Sequence, residues 1–415
     1  MAIRGRSIIA IGVFVLLGGL VALGNWYVNQ RAVPQRGSEK TVLVHVTNAG
    51  DRGPGTLREA LFIVAAATGP TSISIEVPKL SIETALPAFV NGHGVKLVGQ
   101  ASGAVIDAQA LSTGPVLDIS GANTTIEGIT IANCPGTAIL VRAVRFRLVA
   151  STIESCDVGV EVAENTSDTL LERNHFAKNR LAVRFGASGH NSAVANNEFL
   201  DNKDAAVWAV RSAADSHDEA IGIHDNKFTE GSNEIVAGNI PVLIERNDFI
   251  NAREADVHVV GSGVMIRGNH LNGGASMGIV VENARGTIIE ENEMEGITAY
   301  GVMVRESSNT LLRANRIHNC GYGIAFVLGD PHNVSSAVDN TIIEPKFNGI
   351  DVIGDSPKLR GNQVLRAHAY ALHVEDFQPP KGPKVVSQPF LENNRFGDSP
   401  VSKSDAASAA PTSVQ

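Results

Sequence analysis

The chain has 415 residues, of which 41 are glycine and only 5% are aromatic, and its formal net charge is −9. This composition favours many short strands joined by tight turns over a bundle of helices. A general nucleic-acid binder needs a basic surface to neutralise phosphates, so the acidic balance disfavours nucleic acid as a partner. Three cysteines, Cys134, Cys156 and Cys320, are too few for a disulfide framework.

An apolar run over residues 8–24 follows two arginines and precedes Trp26 and Tyr27. A run of this length can just cross a bilayer, and the aromatic pair fits a membrane–water interface. Residues 1–27 are therefore predicted to be a signal or anchor segment in the inner membrane. The rest of the chain is predicted to be exported, periplasmic or on the cell surface. A cleaved signal peptide is the alternative, since small residues end the run. Residues 28–40 are polar and form a predicted linker.

Residues 41–95 are predicted to form an N-terminal cap and the first strands. Turn residues at 53–55 lead into a helix-compatible stretch from Leu57 to Ala67, with Leu61 and Val64 on the same face as Leu57. A coil of strands needs such a cap because its open end exposes unpaired strand edges.

A short unit recurs after this cap: an asparagine followed by a polar and then, in most copies, a large apolar residue. Ten copies, spaced 21 to 32 residues apart, are centred on Asn174, Asn197, Asn226, Asn247, Asn269, Asn292, Asn315, Asn340, Asn362 and Asn394. The polar–apolar alternation is typical of a strand, and two further short strands recur in most units. The sequence thus predicts three strands per repeat of about 22 residues, stacked around an apolar interior.

The recurrent asparagine fits a buried turn, where its amide bonds to backbone and to the asparagine on the adjacent rung. The alternative is that asparagine only marks solvated turns. Residues 96–398 are therefore predicted to form an all-β coil of about a dozen rungs. Residues 399–415 are rich in serine and alanine and are predicted to be disordered.

Two segments resemble a known superfamily. Val46-Thr47-Asn48 through Leu57-Arg58-Glu59-Ala60-Leu61 resembles the opening of many bacterial envelope β-helix proteins. Gly99 through Ala108 is similar to the early turns of the pectin-lyase-like superfamily. With the asparagine repeats, the resemblance covers about residues 41–398 and implies a single-stranded right-handed parallel β-helix solenoid. It implies no single activity, because the superfamily includes lyases, hydrolases, epimerases, adhesins and inert scaffolds.

Three repeats are longer than the others, and their extra residues all follow the same strand of the repeat. The extra segments are residues 211–218, 329–333 and 376–383. Loops that extend from a rigid scaffold commonly form binding grooves, so this turn is the predicted site.

Titratable side chains collect on the C-terminal rungs beside these loops. Asp351 and His373 take the equivalent outward position on neighbouring rungs, about 4.8 Å apart, and could hydrogen-bond. Carboxylates at such spacing raise one another's pKa or hold a cation, here Ca²⁺, and a histidine beside them can act as a general base or acid. The alternative is an exposed acidic face of an acidic protein.

Asp330-Pro331-His332 resembles the Asp-Pro-His-Asp motif of β-helical mannuronan C5-epimerases, with Asn333 in place of the final aspartate. The resemblance implies a role for His332 in removing the proton at the sugar C5. The predicted catalytic residues are Asp330, His332, Asp351 and His373. The predicted substrate-binding residues are Glu306, Asp355, Asp376, Lys358 and Arg360.

These features predict a protein that binds or modifies an extracytoplasmic polysaccharide by hydrolysis, β-elimination or C5 epimerisation, with Ca²⁺ if the substrate is anionic. A non-catalytic envelope scaffold or adhesin is the competing class. Cys134 and Cys156 lie 22 residues apart, one rung in the repeat. Either a disulfide or a stacked pair of buried thiols fits that spacing.

Overall fold

The computed structural model describes residues 40–100, 103–164, 166–186, 190–211, 220–274, 276–397 and 399–403. Within them the chain winds through three parallel sheets in turn, contributing one strand to each sheet per rung. We call them sheets A, B and C in the order in which each rung visits them, and name the turns between them AB, BC and CA. The predicted all-β coil with three strands per repeat is confirmed.

Sheet A has 15 strands. They are Val42–Val46, Thr71–Ile75, Val95–Gly99, Thr124–Glu127, Arg147–Val149, Leu170–Glu172, Ala193–Ala195, Ile221–His224, Val242–Glu245, Val264–Arg267, Ile288–Glu290, Leu311–Arg313, Ser336–Val338, Lys358–Arg360 and Phe390–Glu392. The first two strands lie in residues 41–95, the segment predicted to hold the cap and the first strands.

Sheet B has 14 strands. They are Lys79–Ser81, Ala104–Asp107, Ile129–Ala132, Thr152–Glu154, His175–Ala177, Glu198–Leu200, Lys227–Thr229, Asp248–Ile250, His270–Asn272, Glu293–Glu295, Arg316–His318, Thr341–Ile343, Gln363–Leu365 and Arg395–Phe396.

Sheet C has 13 strands. They are Leu117–Ile119, Thr137–Val141, Val158–Val162, Leu181–Phe185, Ala205–Val210, Asn233–Gly238, Ala255–Ser262, Met277–Arg285, Tyr300–Arg305, Tyr322–Val327, Ile350–Ile353, Leu372–Glu375 and Val401–Lys403. The last strand pairs with Leu372–Glu375, so the prediction of a disordered tail from residue 399 is wrong for residues 401–403. Backbone pairing with an existing sheet edge orders these residues despite their polar sequence.

One helix, α1 (Leu57–Ala66), lies in the described part of the chain. Thr56 caps it by accepting a hydrogen bond from the Glu59 amide at 3.3 Å, and Glu59 accepts one from the Gly55 amide at 2.6 Å. This reciprocal pairing satisfies amides that have no partner inside the helix. Leu61 and Val64 are fully buried, as the predicted cap requires.

No helix in the described part of the chain has the length and apolar character needed to cross a bilayer. The predicted span over residues 8–24 and nearly all of the predicted linker lie outside the described residues. The membrane anchor therefore stays a prediction.

The asparagines form a continuous ladder in the AB turn. Each amide nitrogen donates to the Oδ1 of the asparagine on the next rung, at 3.0 Å from Asn174 to Asn197 and 2.9 Å from Asn269 to Asn292. The same Oδ1 also accepts the preceding asparagine's backbone amide, as Asn292 does from Asn269 at 3.0 Å. The predicted ladder is confirmed, and it sets the register in which the rungs stack.

Large apolar side chains fill the interior in columns. Phe176, Phe199, Phe228 and Phe249 stack in sequence with ring centroids 4.7 to 5.0 Å apart. Leu271 continues the column and is fully buried. Because these four rungs each contribute one ring at the spacing of adjacent strands, the rings pack in contact along this part of the coil.

Candidate functional site

Asp351 and His373 lie on the outer surface of sheet C, in direct register on neighbouring strands. Asp351 Oδ1 and His373 Nδ1 are 3.2 Å apart, so the predicted hydrogen bond is present. The Asp351 side chain is 4% exposed and that of His373 is 25% exposed. The carboxyl group is therefore shielded while part of the imidazole ring faces the solvent.

Asn348 and Tyr370 complete this pair. The Asn348 amide nitrogen donates to Asp351 Oδ1 at 2.7 Å, and its carbonyl oxygen accepts the Tyr370 backbone amide at 3.2 Å. The Tyr370 ring stacks on the His373 ring with centroids 5.7 Å apart. Burial raises the pKa of Asp351, against the hydrogen bond from Asn348 and the nearby His373, which favour the ionised form. We call Asn348, Asp351, Tyr370 and His373 the sheet C site.

The repeat pattern predicts Asp351 and His373 as site residues but does not predict Asn348 and Tyr370. Both missed residues lie in the BC turn, just before the strands that carry the pair. An asparagine three residues before a buried aspartate was the available signal. The register of the turn decides whether the two meet, and the repeat spacing does not specify that register.

In the loop formed by residues 329–333, Asp330 has a local structural role. Asp330 accepts hydrogen bonds from the His332 backbone amide at 2.8 Å and from the Asn333 side chain at 2.9 Å. These bonds hold the pKa of Asp330 below its usual range. The His332 side chain is exposed on the CA turn, at the opposite end of the strand from Asp351. The structure thus does not bring the His332 ring to the Asp330 carboxylate.

Asp355 lies beneath this loop. A Cβ atom at Gly329 would collide with the Asp355 carboxyl group, so glycine is required there by close approach. Burial raises the pKa of Asp355 to about 6, and the Ser356 backbone amide donates to its Oδ1 at 2.6 Å. This carboxyl group supports the loop from inside and does not face the solvent.

The other predicted substrate-binding residues are spread over two surfaces. Asp376 pairs with Lys384 at 2.7 Å and accepts the Ser387 amide at 2.8 Å, which closes the third long loop on itself. Lys384 holds the pKa of Asp376 below its usual range. Glu306 is exposed on the CA turn, next to Arg305 in sequence. Of Asp330, His332, Asp351, His373 and Asp376, only Asp351 and His373 share a hydrogen bond.

Lys358 and Arg360 are exposed on a strand of sheet A, flanking the buried Leu359. They follow Asp351 closely in sequence, but the intervening turn carries the chain from sheet C to sheet A. Their charges therefore lie on a different surface from the sheet C site. Most of the first long loop, residues 212–219, lies outside the described residues.

A second acidic pair, which was not predicted from the sequence, lies inside the coil. Glu234 and Asp256 are both fully buried and take the same inward position on paired strands of sheet C. The neighbouring rungs hold Ala206 and Gly278 at that position. Burial raises the pKa of Glu234 to about 7 and that of Asp256 well above its usual range. The signal available in the sequence was an acid at a position that is otherwise glycine or alanine.

The bonding of this interior pair is incomplete. Glu234 Oε1 accepts the Gly231 amide at 2.7 Å. In the described part of the chain, Glu234 Oε2 and both carboxyl oxygens of Asp256 have no hydrogen-bond partner. Two ionised carboxylates are costly in such a place, so the pair favours protonated forms.

The cysteines are all free and buried. Of the two arrangements that the sequence allowed, the structure has the stacked thiols at Cys134 and Cys156. A hydrogen bond to Cys156 and burial raise the pKa of Cys134, which disfavours its reactive thiolate form.

Calcium was predicted as a possible cofactor. Among the described residues, no set of three or more His, Cys, Asp or Glu side chains could hold a metal ion. Ca²⁺ takes six to eight oxygen ligands, and the sheet C site offers one shielded carboxylate. A Ca²⁺ cofactor stays a prediction.

Comparison with protein families and solved structures gives a consistent result. A family model described as "Right handed beta helix region" matches residues 88–220 and 214–364. A comparison with curated protein sequences finds no match.

Among solved structures, the catalytic unit of a thermostable GH87 α-1,3-glucanase from Streptomyces thermodiastaticus is similar, with a TM-score of 0.58 and 14% identity over 89% of this chain and 72% of that one. The tailspike protein of E. coli bacteriophage HK620, in complex with a hexasaccharide, has a TM-score of 0.54 and 13% identity over 81% and 73% of the two chains. At these identities the likeness concerns the fold.

Proposed function

This chain belongs to the right-handed β-helix family, and from that premise we propose that it binds an extended polysaccharide along sheet C and modifies it by proton transfer at the sheet C site. The hydrogen bond between Asp351 and His373 at 3.2 Å carries the proposal. The α-1,3-glucanase and the saccharide-bound tailspike support a glycan as the partner, since their fold resembles this one.

The geometry suits His373 as a general base. Donation from its Nδ1–H to Asp351 leaves the lone pair on Nε2, and the partly exposed ring can accept a proton from a bound substrate. The shielded Asp351 carboxylate then stabilises the imidazolium that forms. Asn348 keeps Asp351 in place, so the imidazole ring has one preferred orientation.

Three reaction classes use this pair differently. Removal of the C5 proton of a uronate by His373 leads to β-elimination or to C5 epimerisation. Hydrolysis requires a second carboxylate near the glycosidic bond. Glu375, exposed two residues after His373 on the same side of the strand, provides one. An anionic glycan also needs its charge neutralised, and Lys358 and Arg360 lie on sheet A, away from the sheet C site. We therefore keep in the proposal a calcium ion that is held jointly by the protein and the substrate.

The test is to incubate the purified protein with a panel of neutral and anionic glycans, with and without Ca²⁺, and to analyse binding and products. Unsaturated ends indicate elimination, saturated new reducing ends indicate hydrolysis, and an altered uronate composition without cleavage indicates epimerisation. His373→Ala should retain binding and lose product. A protein that neither binds nor converts any glycan would refute the proposal.

A non-catalytic envelope scaffold or adhesin is the second candidate. It is favoured by the use of Asp330 and Asp376 to hold their own loops rather than a ligand. In that case His373→Ala would leave every measured property of glycan binding unchanged and no product would form with any variant. In both cases we propose an exported protein, periplasmic or on the cell surface, held at the inner membrane by residues 8–24.

A further inference from the structure

A stack of aromatic rings runs along the outside of sheet C, at its BC-turn end. Tyr300 and Tyr322 have ring centroids 4.7 Å apart, and Tyr322 and Phe347 have centroids 4.9 Å apart. Each ring covers a face of its neighbour, so Tyr322 has both faces covered. We call Tyr300, Tyr322 and Phe347 the outer stack.

The outer stack ends abruptly at Phe347. On the next rung Ala369 takes the place of Phe347, since Ile350 pairs with Leu372 and each lies three residues further along the chain. A small side chain thus follows three rings, and it cannot cover the last ring face. Phe347 is 50% exposed.

The interior phenylalanine column ends in a different way. Its last ring, Phe249, is followed by Leu271, which is fully buried and continues the packing. Inside the coil, the end of a ring stack is closed by a large apolar side chain. Outside, a ring face of Phe347 stays in contact with water at a hydrophobic cost, which is typical of a surface that binds a partner.

The open ring face is joined to the sheet C site. Asn348, the residue after Phe347, donates to Asp351 and accepts from the Tyr370 amide. Tyr370, the residue after Ala369, is 37% exposed and stacks on His373. A chain of sugars that rests one ring on Phe347 can therefore place a neighbouring unit at Asp351 and His373.

We propose that the open face of Phe347 is a sugar-binding subsite, in which one pyranose ring of the glycan takes the place of a fourth ring in the outer stack. This inference rests on the proposed glycan function and names the sugar class. A pyranose with equatorial hydroxyl groups has C–H bonds on both faces and can lie flat on an aromatic ring, whereas an axial hydroxyl on the contacting face would meet the ring with an unbonded polar group.

The experiment measures the dissociation constant for a glycan that binds the wild-type protein, by calorimetry with the full chain. Phe347→Ala removes the platform and is expected to weaken binding about tenfold. Ala369→Phe fills the vacant position with the protein's own ring and is expected to weaken binding by a similar factor. Phe347→Tyr keeps the ring face and should bind within about twofold of wild type. Thermal unfolding of each variant verifies the fold, and Ala369→Leu replaces Ala369→Phe if the latter does not fold.

The outcomes separate the two levels of the proposal. Wild-type binding that is unchanged in both Phe347→Ala and Ala369→Phe would overturn the subsite and leave the glycan function standing. Loss of binding in Phe347→Ala with normal binding in Ala369→Phe would also overturn it, since the ring would then act without its open face. Wild-type protein that binds no glycan would overturn both.

Discussion

Two of the stacked pairs of titratable side chains on sheet C lie on opposite sides of the sheet. Glu234 and Asp256 point into the coil, where three of their four carboxyl oxygens have no partner within the described residues. Asp351 and His373 occupy the outward position, and Asn348 supports them. Both pairs join adjacent rungs in the same register of parallel strands.

The difference shows that burial of an acid is a poor guide to function in a coil. Burial raises the pKa of Glu234, Asp256 and Asp351 alike. Only Asp351 has a partner that is itself in contact with solvent, so only there can a proton pass to a bound molecule. A step of two residues along the strand separates the inward acid position from the outward one.

The largest contrast is expected in activity when the same substitution is made at both pairs. Asp351→Asn removes the charge that orients His373 and stabilises its protonated form, so kcat should fall roughly 10³-fold. Asp256→Asn should leave kcat within about twofold. Turnover of the glycan identified in the panel, measured for both variants, tests the contrast; equal losses at the two positions would show that the pairs do not differ in role.

The interior pair should make stability depend on pH. Glu234 has a pKa of about 7 in the folded protein against 4.5 for the free group, so the folded state binds more protons between these values. The contribution of Glu234 to the free energy of unfolding is therefore greatest below about pH 4.5. It is lost as pH rises to about 7, by on the order of 3 kcal/mol. This pKa already includes the opposing effects of the Gly231 amide and the nearby Arg253, which favour the ionised form.

Chemical unfolding at pH 5.5 and pH 8 measures the part of this change that falls above pH 5.5, on the order of 2 kcal/mol. Other groups titrate over the same range, among them Asp355 with a pKa of about 6. Glu234→Gln is the matched control, because it removes the interior titration and keeps Asp355. If the unfolding free energy of Glu234→Gln changes with pH as much as that of the wild type, the pH dependence arises from other groups.

A smaller effect is expected when the interior charge alone is removed. Asp256→Asn replaces a carboxyl group that has no partner with an amide that can both donate and accept, as the asparagines of the AB turn do. The unfolding free energy at pH 8 should rise by roughly 1–2 kcal/mol, and the rise should be smallest below about pH 3.8, where the carboxyl group is protonated in the unfolded chain as well. Destabilisation at pH 8 would indicate that Asp256 has a partner that keeps it charged.

The smallest effect is expected at His332. Its ring is exposed at the far end of the strand from Asp351, and the neighbouring Asp330 is engaged by the loop backbone. His332→Ala should change kcat/KM by less than about twofold, within the range of ordinary surface substitutions. A loss as large as that of Asp351→Asn would move the catalytic site to the CA turn.

Much of the fold could be predicted because one constraint repeats. Each asparagine of the ladder must meet the next, so spacing in the sequence translates directly into stacking, as Asn269 and Asn292 show. The ordered strand Val401–Lys403 could not be predicted, because its stability comes from pairing with Leu372–Glu375 rather than from its own composition.

The site was harder to predict for a related reason. Repeat arithmetic places Asp351 opposite His373, since both follow an inward apolar residue. It does not show that Asp330 turns back on its own loop or that Asn348 reaches Asp351, since both depend on turn conformation. Repeat arithmetic also does not show whether the Glu234 side chain points into the coil or out of it, because the strand has buried residues at consecutive positions there.

The strands of all three sheets pair from one rung to the next, so their backbone hydrogen bonds run along the coil rather than around it. A pull on the two ends of residues 41–403 would act on the rungs in series, so every rung would carry the same tension. The terminal rung would give way first, and each released rung would yield roughly 70 Å of slack polypeptide. Tension would therefore unravel the coil stepwise from an end while the rungs behind kept their shape.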